Sequence, residues 1–253
     1  MFWSTSTKPL LDERTERWQL DCWRWLIDGL APGRNLHANP LILPTVDFFP
    51  ATDAAGHDMA EHLFRHVAEL SGVADWPFDL VAQEWHPDDV PDTTAHLSYA
   101  AGTYTEEPGG RMTIGYYPGL VEKPLDLIGM FAHEVSHGIV RTIDRPPPGS
   151  WQMEEFAVEL ATVYLGFGLF GANNAFQVGF GWSLKALYGS WSWSSSGYLS
   201  QEQWAFALAV FLELRGETGE EVKDWLKPPL ARMFKQAQAY LEENPDRLAG
   251  LRT

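Results

Sequence analysis

The sequence predicts an α+β fold, mainly helical, with a small and mostly antiparallel sheet in its first half. Three observations predict it: apolar residues recur at helical spacing in several separate stretches, three short strand-like runs cluster between residues 80 and 117, and no repeat or low-complexity linker interrupts the 253 residues. A chain of this length can bury a large core. One domain over 1–253 is expected, with an N-terminal lobe over about 1–141 and a C-terminal helical lobe over about 150–253.

Over about 10–30, Trp18, Cys22, Trp25, Leu26 and Leu30 fall on one helical face, and Pro32-Gly33 closes the segment. Pro40, Pro44 and Pro50 make the next stretch an extended connection. A second helix over about 54–70 packs through Met59, Leu63, Val67 and Leu70. The strand-like runs are 80–85, 97–104 and 111–117, and Glu106-Glu107-Pro108-Gly109-Gly110 has the turn chemistry of a hairpin. Pro118 ends the last strand, and Pro124 suits the first turn of a helix over about 124–141. The run Asp144 to Gly149, with three prolines, cannot continue that helix, whereas Ser150 can cap a new one over about 151–165. Gly166-Phe167-Gly168 breaks the pattern. Residues 176–199 hold Trp182, Tyr188, Trp191, Trp193 and Tyr198 among Gly and Ser, which suits an aromatic-faced flap over a cleft and suits core packing equally. Ser200 and Gln203 form a capping box for a helix to Arg215, and helical stretches over about 218–226 and 228–243 follow.

Composition excludes several function classes. Hydrophobic residues at 45% and charged residues at 21%, with 12 Trp and 14 Phe, exclude disorder and predict an aromatic-rich interior. Eighteen Lys+Arg against 34 Asp+Glu leave a formal charge of −16, which repels nucleic acid and anionic lipid alike. The longest apolar run, about 160–172, is far short of the ~20 residues that span a bilayer, and the N-terminus lacks the pattern of a signal peptide. With Cys22 as the single cysteine, no intrachain disulfide can form, and a cytoplasmic location is expected.

The stretch with chemistry in it is His133-Glu134-Val135-Ser136-His137, an HExxH sequence inside the helix over 124–141. Successive residues of a helix turn by about 100°, so the two histidines lie about 40° apart, one turn above the other, and can share one Zn²⁺. Glu134 projects beside that position, where a carboxylate can take a proton from a metal-bound water. Ile128, Phe131, Val135 and Ile139 form an apolar stripe roughly opposite the histidines, so one side of the helix is expected to pack and the other to present ligands. His62 and His66 repeat the i, i+4 spacing, but Leu63 stands where the Glu would be and no later acid pair answers them. A partly solvated helix flank is expected there.

A catalytic zinc needs a third protein ligand. All eight histidines lie at or before His137, so a downstream ligand must be a carboxylate. Glu154, Glu155 and Glu159 sit on the next helix, Glu155 and Glu159 about 40° apart and opposite the apolar face of Ala157, Leu160, Ala161 and Tyr164. Glu155 is read as the ligand, Glu154 as the alternative, and Glu159 as the carboxylate that accepts a ring N–H from a ligating histidine.

HExxH at 133–137, then Glu155 with Glu159 one turn on, resembles the gluzincin branch of zinc metallopeptidases over about residues 111–166. The resemblance implies a zincin-like domain, one Zn²⁺ per chain, and a hydrolase acting on a peptide or protein substrate with Glu134 as the base. It also implies that the substrate lies along an edge strand, here 111–117, and that a downstream donor stabilises the oxyanion. The chain departs from the thermolysin-like form in having no downstream His, which leaves Tyr188, Tyr198 or another donor for that task. The competing expectation is a non-proteolytic zinc-binding regulatory or sensor protein with the same metal site.

Overall fold

The computed structural model describes residues 7–31, 33–83, 102–106, 110–173 and 199–252. Its order is α1 (Glu13–Leu30), α2 (Gly56–Leu70), β1 (Phe78–Ala82), β2 (Gly102–Glu106), β3 (Met112–Tyr116), α3 (Pro124–Arg141), α4 (Glu154–Tyr164), α5 (Gln201–Arg215), α6 (Glu220–Lys223) and α7 (Pro228–Glu243). The α+β class is as the sequence predicts.

The sheet is mixed, in the order β1-β3-β2. β2 and β3 form the expected antiparallel hairpin pair, whereas β1 runs parallel to β3 with Leu80 opposite Ile114. A parallel pairing depends on where a long connection returns the chain, and no local pattern announces it. Because β3 is central, it pairs on both sides. The expected edge strand at 111–117 is therefore corrected: among the described residues β1 and β2 are the outer strands, and β3, paired on both sides, has no free edge for a substrate.

α3 is the axis of the fold. Its stripe of Ile128, Phe131, Val135 and Ile139 is buried, with the Phe131 ring edge-on to Phe64 of α2 at 5.3 Å and to Tyr116 of β3 at 6.0 Å. Burial goes further than the stripe. Leu127, Ala132, Glu134, Ser136, His137 and Val140 are buried as well, and α4 is buried from Phe156 to Tyr164. Each helix thus packs through its apolar side, as expected, and the sides that carry His133, His137 and Glu155 turn toward each other. Two hydroxyls meet in that interface. Ser136 Oγ lies 2.7 Å from the Ala132 carbonyl and 3.0 Å from Thr162 Oγ1, which lies 3.0 Å from the Val158 carbonyl. With two protons for three contacts, one hydroxyl donates across the helix pair while the other donates to its own turn.

α1 fixes the turn between α3 and α4. Asp12 caps it by accepting from the Arg14 and Thr15 amides, and Trp18 and Trp25 donate their indole N–H groups to the carbonyls of Pro148 and Arg145, at 2.8 and 3.1 Å. Trp18 also meets Phe156 of α4 edge-on at 5.8 Å. α5 begins with the expected Ser200–Gln203 capping box, is apolar on nearly every side and packs along α7. Beyond α7, Arg247 reaches buried Glu16 of α1 at 3.5 Å, and Tyr240 donates to the same carboxylate at 3.1 Å. Buried apolar residues from Leu11 to Leu251 belong to one core.

α4 stops at Gly166, whose φ of +94° lies in the left-handed region. The Gly166 N–H bonds the Val163 carbonyl at 2.9 Å and the Phe167 N–H bonds the Thr162 carbonyl at 3.0 Å, which together close the helix end. A Cβ on Gly166 would run into the Pro40 carbonyl oxygen, on the strap whose Ile42 N–H bonds the Gly166 carbonyl at 3.0 Å. Gly166→Ala is therefore expected to destabilise the protein by about 2–4 kcal/mol, the left-handed backbone and the forced backbone shift acting together. Urea unfolding checks this: a midpoint close to that of the wild type would contradict the account.

Candidate metal centre

The packing of α3 against α2, β3 and α4 decides which way its histidines face. His133 and His137 stand one turn apart with rings 4.9 Å apart at 82°, their Nε2 atoms separated by 3.2 Å. Glu155, in the first turn of α4, brings its Oε2 to 3.5 Å from His133 Nε2 and 3.7 Å from His137 Nε2. Tetrahedral coordination at zinc–nitrogen and zinc–oxygen bond lengths places ligand atoms about 3.3 Å apart. A point about 2 Å from all three atoms exists at these separations, which is the length of those bonds. His133, His137 and Glu155 thus form a group able to hold a metal ion.

The charges around that point favour a cation. Four carboxylates, Glu134, Glu154, Glu155 and Glu159, face two imidazoles and the Arg141 guanidinium, all within α3 and the first turns of α4. Burial opposes a charged His133, but Glu155, together with Glu134 and Glu159, outweighs it and pushes the imidazole pKa up to about 9. Burial likewise opposes charge on Glu155, yet the His133 and His137 rings hold its carboxyl below the usual range. Without a metal, His133 holds the proton whose place an ion can take.

Glu134 is 4% exposed. Burial raises its pKa, against the pull of His133 and His137. Glu159 is buried as well, its carboxyl pushed up to about 8 by burial, and it accepts the Leu199 N–H at 2.5 Å. The chain after the aromatic-rich segment thus comes down on α4 beside the centre. Glu154, the alternative ligand, lies instead on the far side of His137: its Oε1 is 3.2 Å from Arg141 Nε and 4.0 Å from His137 Nδ1. The His137 imidazole and Arg141 hold its carboxyl below the usual range.

Sequence reasoning did not find Tyr104. Its ring stacks on His137 at 6.0 Å and 18°, and the Arg141 guanidinium lies over it, 5.0 Å from its centroid. Gly138 leaves room for Trp76, which a Cβ there would meet at 3.0 Å. An aromatic at an alternating position of a predicted strand was the available signal, and it cannot say which helix the strand covers. Tyr188 and Tyr198, the expected oxyanion donors, and residues 176–198 of the expected flap lie outside the described residues. His62 and His66 are engaged with backbone, Nε2 of His62 with the Pro50 carbonyl at 3.0 Å and Nδ1 of His66 with the His62 carbonyl at 2.8 Å. No described helix is long and apolar enough to cross a membrane.

Comparison with known proteins places no relative beside this chain: no family model, no curated protein and no solved structure matches it.

Zinc added to the metal-free protein at a hundred times its dissociation constant should raise unfolding stability by about 2.7 kcal/mol, and Glu155→Ala or His133→Ala should abolish the rise. Calorimetry with and without chelator reads this, and an unchanged response in Glu155→Ala would exclude Glu155 as a ligand. Since His133 is protonated below about 9 in the metal-free centre and must lose that proton to bind, zinc affinity should climb from pH 6 to pH 9. A flat profile over that range would contradict the proton displacement.

Proposed function

We propose that this chain is a zinc-dependent peptidase in which Glu134 is the general base. The observation that carries this reading is the convergence of His133 Nε2, His137 Nε2 and Glu155 Oε2 at metal-ligand separations with a buried carboxylate, Glu134, on the same helix. The order HExxH followed by Glu155, similar to the gluzincins, supports it. Zn²⁺ at such a centre supplies Lewis acidity, bringing the pKa of water toward neutrality and polarising a peptide carbonyl.

The rest of the chemistry falls to the chain's own side chains. His133 and His137 give up neutral ring nitrogens, and Glu155 supplies one negative charge as the third ligand. Glu134 accepts the proton released as water adds to the carbonyl and returns it to the departing amine, so no net proton is gained or lost by the enzyme. Its burial suits this, because a carboxylate in a poorly solvated position holds a proton more readily than one in water. Tyr104 on His137 and the Ser136–Thr162 contact keep the ligand-bearing elements in place during turnover.

Glu134→Gln separates the chemistry from the metal. The variant should bind zinc as the wild type does, its three ligands being untouched, and should lose about 10²–10⁴-fold in hydrolysis of a fluorogenic peptide library. Wild-type turnover by Glu134→Gln would overturn the mechanism. Zinc loading of the wild type without cleavage of any library peptide would replace this reading by a non-proteolytic zinc-binding regulator or sensor.

A further inference from the structure

The centre has a second carboxylate layer that the HExxH pattern does not assign, and we infer that Glu154 is the positioning residue for His137, accepting its Nδ1–H when Nε2 is committed to a metal. The inference rests on the metal-binding reading of the triad and not on peptide hydrolysis. Its starting point is an unpartnered atom. His137 is 9% exposed and turns Nε2 toward His133 and Glu155, while its Nδ1 is buried and has no hydrogen-bond partner among the described residues. Glu154 Oε1 lies 4.0 Å from that Nδ1, one residue along α4 from the ligand Glu155.

Two further contacts hold Glu154 and His137 for each other. Arg141, one helical turn beyond His137, donates through Nε to Glu154 Oε1 at 3.2 Å. Its guanidinium also lies over the ring of Tyr104, and Tyr104 stacks on His137 at 18°. Glu154, Arg141, Tyr104 and His137 therefore close a loop in which each side chain restricts the next. A hydrogen bond of ordinary length needs the carboxylate and ring to close by only about 1 Å, a side-chain adjustment within a pair already facing each other. A ring whose Nε2 lone pair is given to a metal must carry its proton on Nδ1, and that proton needs an acceptor. Glu159 accepts the Leu199 N–H through Oε2, one turn of α4 beyond Glu155.

The test reads metal affinity and tautomer, not turnover. Zinc affinity is measured by competition with a chromophoric chelator for the wild type, Glu154→Ala and Glu154→Gln, alongside the unfolding midpoint of each metal-free protein. Glu154→Ala should bind zinc about 10–100-fold more weakly. Glu154→Gln, which keeps a neutral acceptor, should recover part of that loss, and neither metal-free midpoint should fall. In the zinc-loaded wild type, nitrogen-15 spectra of the histidines should show a slowly exchanging proton on His137 Nδ1, a measurement that holds even where a variant fails to fold. Wild-type affinity in Glu154→Ala, a metal-free midpoint that drops in step with affinity, or His137 bound through Nδ1 would each overturn the assignment. A wild type that takes up no zinc would overturn it together with the metal centre, whereas absence of peptidase activity would overturn hydrolysis alone.

Discussion

The centre depends on the axial register of two buried helices. A shift of one residue along a helix is 1.5 Å, several times the tolerance of a metal–ligand bond, so α3 and α4 must not slide. The Ser136–Thr162 contact is buried between them, and a hydroxyl pair left unmatched in that position would be penalised by its own desolvation. Its net stabilisation is about 1 kcal/mol, but its geometric consequence is larger. Thr162 lies seven residues after Glu155 on the same face of α4, and Ser136 lies inside the HExxH motif itself, so matching the hydroxyls matches the ligands. Trp18 and Trp25 of α1 complete the constraint by fixing the proline-rich turn through its carbonyls.

That register brings together acids that would otherwise repel. Four glutamates in a mostly buried interface raise one another's energy, and the two imidazoles and Arg141 offset this in part. The result is a division of labour by environment. Glu155, beside both imidazoles, stays ionised; Glu159, deeper and bonded to one backbone N–H, is driven toward its neutral form; Glu154 is held by His137 and Arg141 at the rim. Sequence spacing sets Glu155 and Glu159 on one face and Glu154 about 100° away, and local solvation separates their charge states.

The sheet contributes to the site through one face and one strand. β3 lies in the middle of the sheet, its Tyr116 against the α3 stripe, while outer strand β2 lays Tyr104 on His137. Close approach of strand and helix is possible because Gly102 and Gly138 carry no side chain where Met130 and Trp76 pass. The C-terminal helices stand behind this arrangement, with α5 in the core and α7 and the residues after it returning to α1 at Glu16.

By itself, the sequence determined what depends on neighbours a few residues apart. The α3 boundaries with Pro124 at the start, the capping box at Ser200, the antiparallel pairing of β2 with β3, and the pairing of His133 with His137 all follow from local sterics and sequence periodicity. The tertiary structure decided what depends on residues far apart in the chain. It made β3 central, because a parallel partner arrives through a long connection without a local signal. It buried most of α3 and α4 beyond their apolar stripes, because amphipathic periodicity reports the first packing face and not the second. It selected Glu155 over Glu154 for the centre and set Tyr104 on His137, because a choice of about 100° around a helix, and of which helix a strand covers, is made only when two elements pack.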